Sequence, residues 1–243
     1  YLQRINFFDT CGIKLDEDFT RHSSSGKFVE IKSLKKCDIG ELSTEIAECI
    51  APELSNELDS NKLGFFNCIE YSISELGNNT VQHAQASNSY VNAQYSSYPD
   101  LIRVAIIDNG IGIKESFFLN NSPYSETIIT DLDAILIALE AEKSSKTHLN
   151  LWGESVNAGL GLTLLKSIAE KINGTFIIFT GNAYYSLDEQ ELFDETLSFK
   201  GTLCSFTFKR SEILNFNNLL YDIKKGIGLI PNTLNVEYEE LFI

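Results

Sequence analysis

The stretch ISELGNNTVQHA, residues 73–84, interrupts an apolar helical pattern with polar side chains. At about 100° per residue, one side of this helix is apolar and the other carries a carboxylate and amides. The apolar side holds Phe66, Ile69, Ile73, Leu76 and Thr80, and the polar side holds Glu75, Asn79 and Gln82, with His83 at the boundary. Because Glu75 and Asn79 are four residues apart, their side chains are neighbours. The pattern predicts a helix over 61–84 that packs on a sheet and presents these groups either to solvent or to a site.

The composition is typical of a folded globular chain. Of 243 residues, 43% are hydrophobic and 22% are charged, which is enough to bury a core without cross-links. The net charge of −15 makes duplex nucleic acid an unfavourable partner. No stretch approaches the roughly 20 apolar residues that cross a bilayer, and no signal peptide opens the chain. We therefore expect a cytoplasmic protein that binds neither nucleic acid nor membrane.

The cysteines are dispersed along the chain and include no CxxC pair. They are Cys11, Cys37, Cys49, Cys68 and Cys204. An odd and scattered set indicates reduced thiols in a cytosolic protein rather than a disulfide framework or a metal site.

Hydrophobic periodicity and turn residues predict a chain of alternating helices and strands. Residues 1–37 have no regular pattern apart from a short strand at 28–34. The predicted helices are 38–58, interrupted by Pro52, then 61–84, 131–143 with Asp131 as N-cap, and 160–172, which ends at Asn173-Gly174. The predicted strands are 89–96, 100–108, 175–181 and 202–210, the last two forming a hairpin with an acidic connection.

Two glycine-containing segments follow the polar helix. In IIDNGIGI (106–113), Asp108 ends a strand, and Gly110 and Gly112 allow close approach of the backbone to a flat ligand. A simple Asn-Gly hairpin turn is the alternative. In NAGLGLTLLKSI (157–168), Gly159 and Gly161 precede a helix whose free N–H groups would face an anion. Neither segment has the third glycine of a dinucleotide-binding fingerprint, and no GxxxxGK[ST] motif occurs.

The motifs ELGNNTVQH, DNGIG, GLGL and a Gly-Thr pair at 201–202 occur in this order along the chain. This set resembles the GHKL ATPase superfamily of gyrase, Hsp90-type chaperones, sensor histidine kinases and mismatch-repair ATPases. The resemblance covers about 61–209 and implies the Bergerat fold, an α/β (α+β) two-layer sandwich with helices on one face of a mixed, mostly antiparallel sheet. It further implies an N-terminal extension and first helix at 1–60, an ATP-binding domain at 61–210 with its lid at about 113–158, and a C-terminal tail at 211–243.

The resemblance also implies roles for individual residues. Asn79 would ligate Mg²⁺, and Glu75 would be the general base for attack on ATP. Asp108 would accept a hydrogen bond from the adenine amino group, and Thr202 would reach adenine through water. The glycine-rich turns would supply the rest of the site, with Gly110 and Gly112 shaping the adenine pocket and Gly159, Leu160, Gly161 and Leu162 offering backbone amides to the phosphates. His83 replaces the aspartate of gyrase-like proteins, and its role in placing phosphate or in packing is left open.

Within the superfamily, the sequence is most similar to bacterial anti-sigma-factor serine kinases and stand-alone regulatory ATPases. Only His22 lies upstream of the polar helix, in a polar loop, so a self-contained histidine kinase is not expected. We expect a Mg-ATP-dependent ATPase or Ser/Thr protein kinase that acts on a regulatory protein partner, and the resemblance allows a homodimer. The alternatives are a nucleotide-gated interaction module with negligible catalysis and a fold that has lost nucleotide binding.

Overall fold

A seven-stranded antiparallel sheet covered by helices organises the chain. The computed structural model describes residues 1–34, 38–51, 60–141, 143, 145, 160–213 and 215–230, with the backbone alone at 60–63 and 82. In these ranges the helices are α1 (Phe7–Thr10), α2 (Ile39–Ile50), α3 (Ser60–His83), α4 (Gly112–Leu119), α5 (Asp131–Ala138), α6 (Gly161–Lys171) and α7 (Phe216–Gly226). The strands are β1 (Phe28–Ser33), β2 (Ser89–Ser96), β3 (Leu101–Asp108), β4 (Thr175–Gly181), β5 (Ala183–Ser186), β6 (Gln190–Leu192) and β7 (Phe199–Lys209).

The strand order is β1-β2-β3-β7-β4-β5-β6, and every neighbouring pair is antiparallel. At the centre of the sheet, β7 lies between β3 and β4. Asp108 at the end of β3 is opposite Thr202 on β7, and Thr202 is opposite Thr180 on β4. The register therefore places three polar residues in one row across the middle of the sheet.

Alternating burial along the central strands shows that helices cover one face of the sheet. Val104, Phe206 and Phe176 form a row across β3, β7 and β4 and are fully buried. In each of these strands, the residues on either side of the buried one are at least partly exposed. Because side chains in a strand alternate between faces, the buried row marks the face that packs against the helices. The predicted α+β class is confirmed at this level, but the described sheet is entirely antiparallel rather than mixed.

The two helices predicted in the first half of the chain are present, although α2 ends at Ile50 and the part of its prediction at 52–58 lies outside the described residues. α2 begins at its N-cap Asp38, whose carboxylate accepts a hydrogen bond of 3.0 Å from the Glu41 backbone N–H. α3 confirms the predicted helix over 61–84 and buries Ile69 and Ile73. Phe66, predicted on the apolar side, is only partly buried. The core-facing stripe of α3 is instead shifted around the helix toward Phe65, Cys68 and Ser72, which are buried.

The helix predicted at 131–143 does begin at Asp131, but its N-cap and its end were predicted wrongly. α5 ends at Ala138, and its N-cap is Thr130 rather than Asp131. The Thr130 hydroxyl accepts from the Asp133 backbone N–H at 3.1 Å, and the Asp133 carboxylate accepts from the Thr130 N–H at 2.7 Å. This reciprocal capping box satisfies two free donors at once. Asp131 instead accepts from the Asn182 N–H at 3.2 Å, which ties α5 to the turn after β4.

The acidic connection between the last two predicted strands is not a plain hairpin loop. β4 and β7 do pair as predicted, but the intervening chain forms β5 and β6, which extend the sheet. β5 has only four residues and β6 only three. Segments of this length are too short for a period-2 pattern to stand out from an acidic surrounding sequence.

Three helices were not predicted, the first being the four-residue α1 in the segment 1–37. α4 follows the DNGIG turn directly, so this turn joins a strand to a helix rather than two strands. α7 lies in the segment treated as a tail and buries Phe216, Leu220 and Ile223. This spacing of four and three residues is a helical signal that the sequence did contain. α7 packs against α3 and α6. Across the described ranges, no helix is long and apolar enough to cross a membrane.

Candidate functional site

A cavity of about 480 Å³ lies where the ends of β3 and β7 meet α3, α4 and α6. This volume is in the range of small-molecule sites. Most of the predicted site residues line it, namely Glu75, Asn79, Asp108, Gly112, Leu160, Gly161, Leu162 and Thr202. Gly110 lies behind the wall rather than in it, and Gly159 is outside the described residues. The fold thus brings predicted site residues that are as far apart in the sequence as Glu75 and Thr202 to the same cavity.

Glu75 and Asn79 of α3 face the first turn of α6. Glu75 Oε2 lies so close to Gly161 that a β-carbon there would overlap it, and Asn79 Nδ2 is 3.5 Å from the same position. Only a glycine allows the carboxylate and the helix start to approach this closely. The Asn79 amide nitrogen is buried and has no hydrogen-bond partner among the described residues. A buried amide without a partner is costly, and it marks a position where a ligand would supply the missing contact.

Glu75 sits between a tyrosine and a lysine. Burial raises the pKa of Glu75, while a hydrogen bond from the Tyr71 hydroxyl and the positive charge of Lys224 act in the opposite direction. Burial and the adjacent carboxylate also raise the pKa of Tyr71, so its hydroxyl remains a donor. The Tyr71 ring packs on Phe216 of α7, with ring centroids 5.6 Å apart. The carboxylate is therefore held in a partly apolar setting with one donor and one nearby cation.

Asp108 is only 4% exposed. Its carboxylate accepts a hydrogen bond of 2.8 Å from the Gly110 backbone N–H and another from the Thr202 backbone N–H. Burial raises the pKa of Asp108, and these two N–H donors partly offset that rise. A carboxylate has about four acceptor positions, so two donors leave capacity for a ligand donor in the cavity.

The turn after β3 is pressed against the end of α3. A β-carbon at Gly110 would overlap the Ala84 carbonyl, and the Ile111 backbone N–H donates to that carbonyl at 2.8 Å. Next to this contact, the side-chain oxygen of Asn109 accepts a hydrogen bond of 2.9 Å from the Asn88 backbone N–H. Gly110 thus supports the shape of the cavity by packing from behind it.

Thr180 supports the site and was missed at the sequence level. It is fully buried (0% exposed), and its hydroxyl donates to the Gly201 carbonyl at 2.7 Å and accepts from the Ile113 N–H at 3.2 Å. Gly112 has φ of +78°, and a β-carbon there would lie 2.9 Å from the Thr180 hydroxyl. A threonine before the glycine that ends a strand is too common a pattern for the sequence to predict this role.

Hydrogen bonds of the Ser145 hydroxyl link this residue to α3 and α4. The Ser145 hydroxyl is 2.9 Å from His83 Nδ1 and 2.8 Å from the Ser116 hydroxyl. All three residues line the cavity. The structure thus gives His83 a hydrogen-bonding partner at the cavity wall. Neither serine was predicted, since only the folded chain brings positions 83, 116 and 145 together.

The N-terminus of α6 supplies positive potential to the cavity. Its N-cap is Leu160, and no described side chain caps the helix. The first backbone N–H groups of a helix have no partner within the helix and carry partial positive charge. Lys143 and Lys224 also line the cavity, although the chain as a whole is strongly acidic. The cavity therefore combines an anion-attracting side with the acidic groups Glu75 and Asp108.

Metal binding by protein ligands alone has no candidate in the described ranges. There, no three His, Cys, Asp or Glu side chains cluster in a way that could hold a metal ion. A divalent cation in this cavity would take most of its ligands from a bound anion and from water, with Asn79 as the nearby protein group.

No family model, curated protein or solved structure matches this chain. Its function is therefore inferred from the residues of the cavity.

Proposed function

We propose that the chain binds Mg-ATP in this cavity and either hydrolyses it or transfers its terminal phosphoryl group to a hydroxyl of a regulatory protein partner. The proposal includes a Bergerat-type arrangement of α3, β3, α6 and β7 around the nucleotide. The observation that carries it is the convergence of Glu75, Asn79, Asp108 and the uncapped start of α6 on one cavity. None of these groups is unusual alone, but together they offer an acceptor for the adenine amino group and binding groups for the magnesium-bound phosphates of ATP.

The adenine end of the proposed site is at Asp108. Its carboxylate is buried and keeps acceptor capacity after taking two backbone N–H bonds. An exocyclic amino group is a matching donor, and the partly apolar wall formed by Ile106 and Ile113 suits a flat base. Thr202 is opposite Asp108 in the sheet and offers its hydroxyl next to this position.

The phosphate end is at α6 and Asn79. The free N–H groups at the start of α6 favour an anion, and Gly161 lets it approach without obstruction from a side chain. The unpartnered amide of Asn79 fits a Mg²⁺ site, because rotation of the amide presents its oxygen and Mg²⁺ prefers oxygen ligands. Bound Mg-ATP would supply the transferable phosphoryl group, with the cation neutralising charge on the phosphates.

Glu75 is the proposed general base. It lies at the same end of the cavity as α6, and burial moves its pKa upward, toward the pH at which a base works best. Tyr71 donates to the carboxylate and so holds its orientation. A correctly placed base typically contributes about 10²–10⁴-fold to rate.

Calorimetric titration with ATP, with and without Mg²⁺, tests the proposal. We expect the native chain to bind ATP more tightly in Mg²⁺ than in a chelator, and Asn79→Ala to lose this difference. Asn217→Ala, at an exposed position on α7, is the matched control and should behave like the native chain. Absence of ATP binding by the native chain would contradict the proposal and favour a fold without nucleotide function.

A nucleotide-gated interaction module is the second candidate. The hydrogen bonds that join Ser145 to His83 and to Ser116 support it, because a nucleotide next to α3 would compete with or reinforce this link and so alter the surface around Ser145. ATP turnover separates the two candidates. Native turnover that exceeds that of Glu75→Ala favours catalysis, whereas Mg-ATP binding with equal, negligible turnover in both favours gating. A pull-down with and without ATP, followed by a phosphorylation assay, would identify the partner.

A further inference from the structure

Helix α7 brings a lysine from the end of the described chain into the cavity. Its buried residues Phe216, Leu220 and Ile223 attach it to α3 and α6, the two helices that carry the proposed phosphate end. Lys224 follows directly after the buried Ile223 and lines the cavity together with Glu75 and Gly161. The sequence motifs gave no reason to assign this helix to the site.

The position of Lys224 is not explained by helix capping alone. A cation in the last turn of a helix is favourable because of the helix dipole, but Lys225 provides the same benefit from an exposed position. Within the described part of the chain, no ion pair includes Lys224. A lysine in a cavity of an acidic protein, facing a carboxylate without closing an ion pair, has capacity for an anionic ligand.

We propose that Lys224 contacts the terminal phosphate of the nucleotide and makes α7 selective for a nucleoside triphosphate over a diphosphate. This inference rests on the proposed function. A general base must stand near the phosphate that is attacked, so the Glu75 end of the cavity is where a third phosphate would lie. Lys224 is at this end, whereas Asp108 and Thr202 are at the other. A diphosphate would leave Lys224 without its contact, and α7 would then lose one attachment to the site.

Calorimetry with the β,γ-imido analogue of ATP and with ADP, both in Mg²⁺, tests the inference. We expect the native chain to prefer the triphosphate analogue. Lys224→Met should weaken analogue binding by roughly 10-fold, the usual effect of losing one charge-assisted contact, and ADP binding by less than about threefold. Lys224→Gln should give the same result, and Lys224→Arg should retain the preference.

Lys225→Met is the matched control, because it removes the same charge from the same helix turn outside the cavity. It should leave both affinities unchanged, and thermal melting should show that every variant is folded. Equal weakening of both ligands by Lys224→Met, no weakening of either, or the same effect from Lys225→Met would overturn the inference while leaving the proposed function intact. Absence of nucleotide binding by the native chain would overturn both.

Discussion

Oε2 of Glu75 lies in the space that a β-carbon would occupy at Gly161. The carboxylate belongs to α3 and the glycine begins α6, so this contact joins the proposed base to the proposed phosphate-binding helix. The absence of a side chain at one residue therefore sets the position of the functional group of another. This relationship leads to the first of four predictions.

Gly161→Ala should displace the Glu75 carboxylate without unfolding α6. Alanine is a better helix former than glycine by up to about 1 kcal/mol, and the obstructing atom is the mobile end of a side chain. We expect an unchanged or slightly higher melting temperature and at least about a 10-fold loss of ATP turnover, consistent with the cost of misplacing a base.

Gly226→Ala is the control for this variant. A β-carbon at Gly226 would meet no atom within 4 Å, so turnover should be retained. Full turnover in Gly161→Ala would show that the carboxylate position is not required for the chemistry.

Glu75→Gln should stabilise the folded chain at neutral pH while abolishing turnover. Burial raises the pKa of Glu75 above its ordinary value of 4.5, so the folded state binds the proton more tightly than the unfolded state. Native stability should therefore fall as pH rises from about 4.5 through the raised folded pKa. Glutamine keeps the shape without the charge and should remove this dependence. We expect a gain on the order of 1 kcal/mol in the free energy of unfolding at pH 7.5.

Urea unfolding at several pH values measures this effect as the difference between variant and native chain. The difference should vanish below about pH 4.5 and appear above the folded pKa of Glu75. Glu115→Gln, at an exposed position, is the control for removal of one negative charge. A gain in Glu115→Gln equal to that in Glu75→Gln would refute the assignment to local burial.

Asp108→Asn should weaken ATP binding. The substitution replaces one acceptor oxygen by an amide donor, which cannot accept from an exocyclic amine and also opposes the N–H of Gly110 or Thr202. Loss of a hydrogen bond that involves a charged group costs about 1.5–3 kcal/mol, or roughly 10- to 100-fold in affinity. Calorimetry with ATP measures it, and Asp188→Asn on the exposed connection is the control. An ATP affinity of Asp108→Asn equal to that of the native chain would show that adenine binds elsewhere.

Thr180→Val should destabilise the fold and loosen the cavity wall. Valine has the same shape, but it leaves the Gly201 carbonyl and the Ile113 N–H without their partner. An unsatisfied buried group costs about 1–3 kcal/mol, and urea unfolding measures this loss. Thr175→Val, at the exposed start of β4, should change stability by less than about 0.5 kcal/mol. Equal stability of the two variants would mean that Thr180 acts by packing alone.

Local patterns in the sequence predicted most elements because these patterns depend on near neighbours. The stripe along α3, the strands around Val104 and Phe206 and the end of α6 shortly before Asn173 all follow from spacing and turn residues within about one element. The sequence did not predict elements that are very short, such as β5 and β6. The prediction also failed where the decisive partner was remote, as in the Asp131 contact with Asn182 that replaces a capping role.

The sequence by itself determined that Glu75 and Asn79 share a helix face, that Asp108 ends a strand, and that Gly161 begins a helix, because each is a property of a few consecutive residues. Only the tertiary structure decided that these groups meet in one cavity, that Thr180 supports its wall, and that Lys224 enters it from α7. The physical reason is that these distances depend on the register of β3 with β7 and on the packing of α7 against α3 and α6. Those contacts form between residues that no short-range pattern connects.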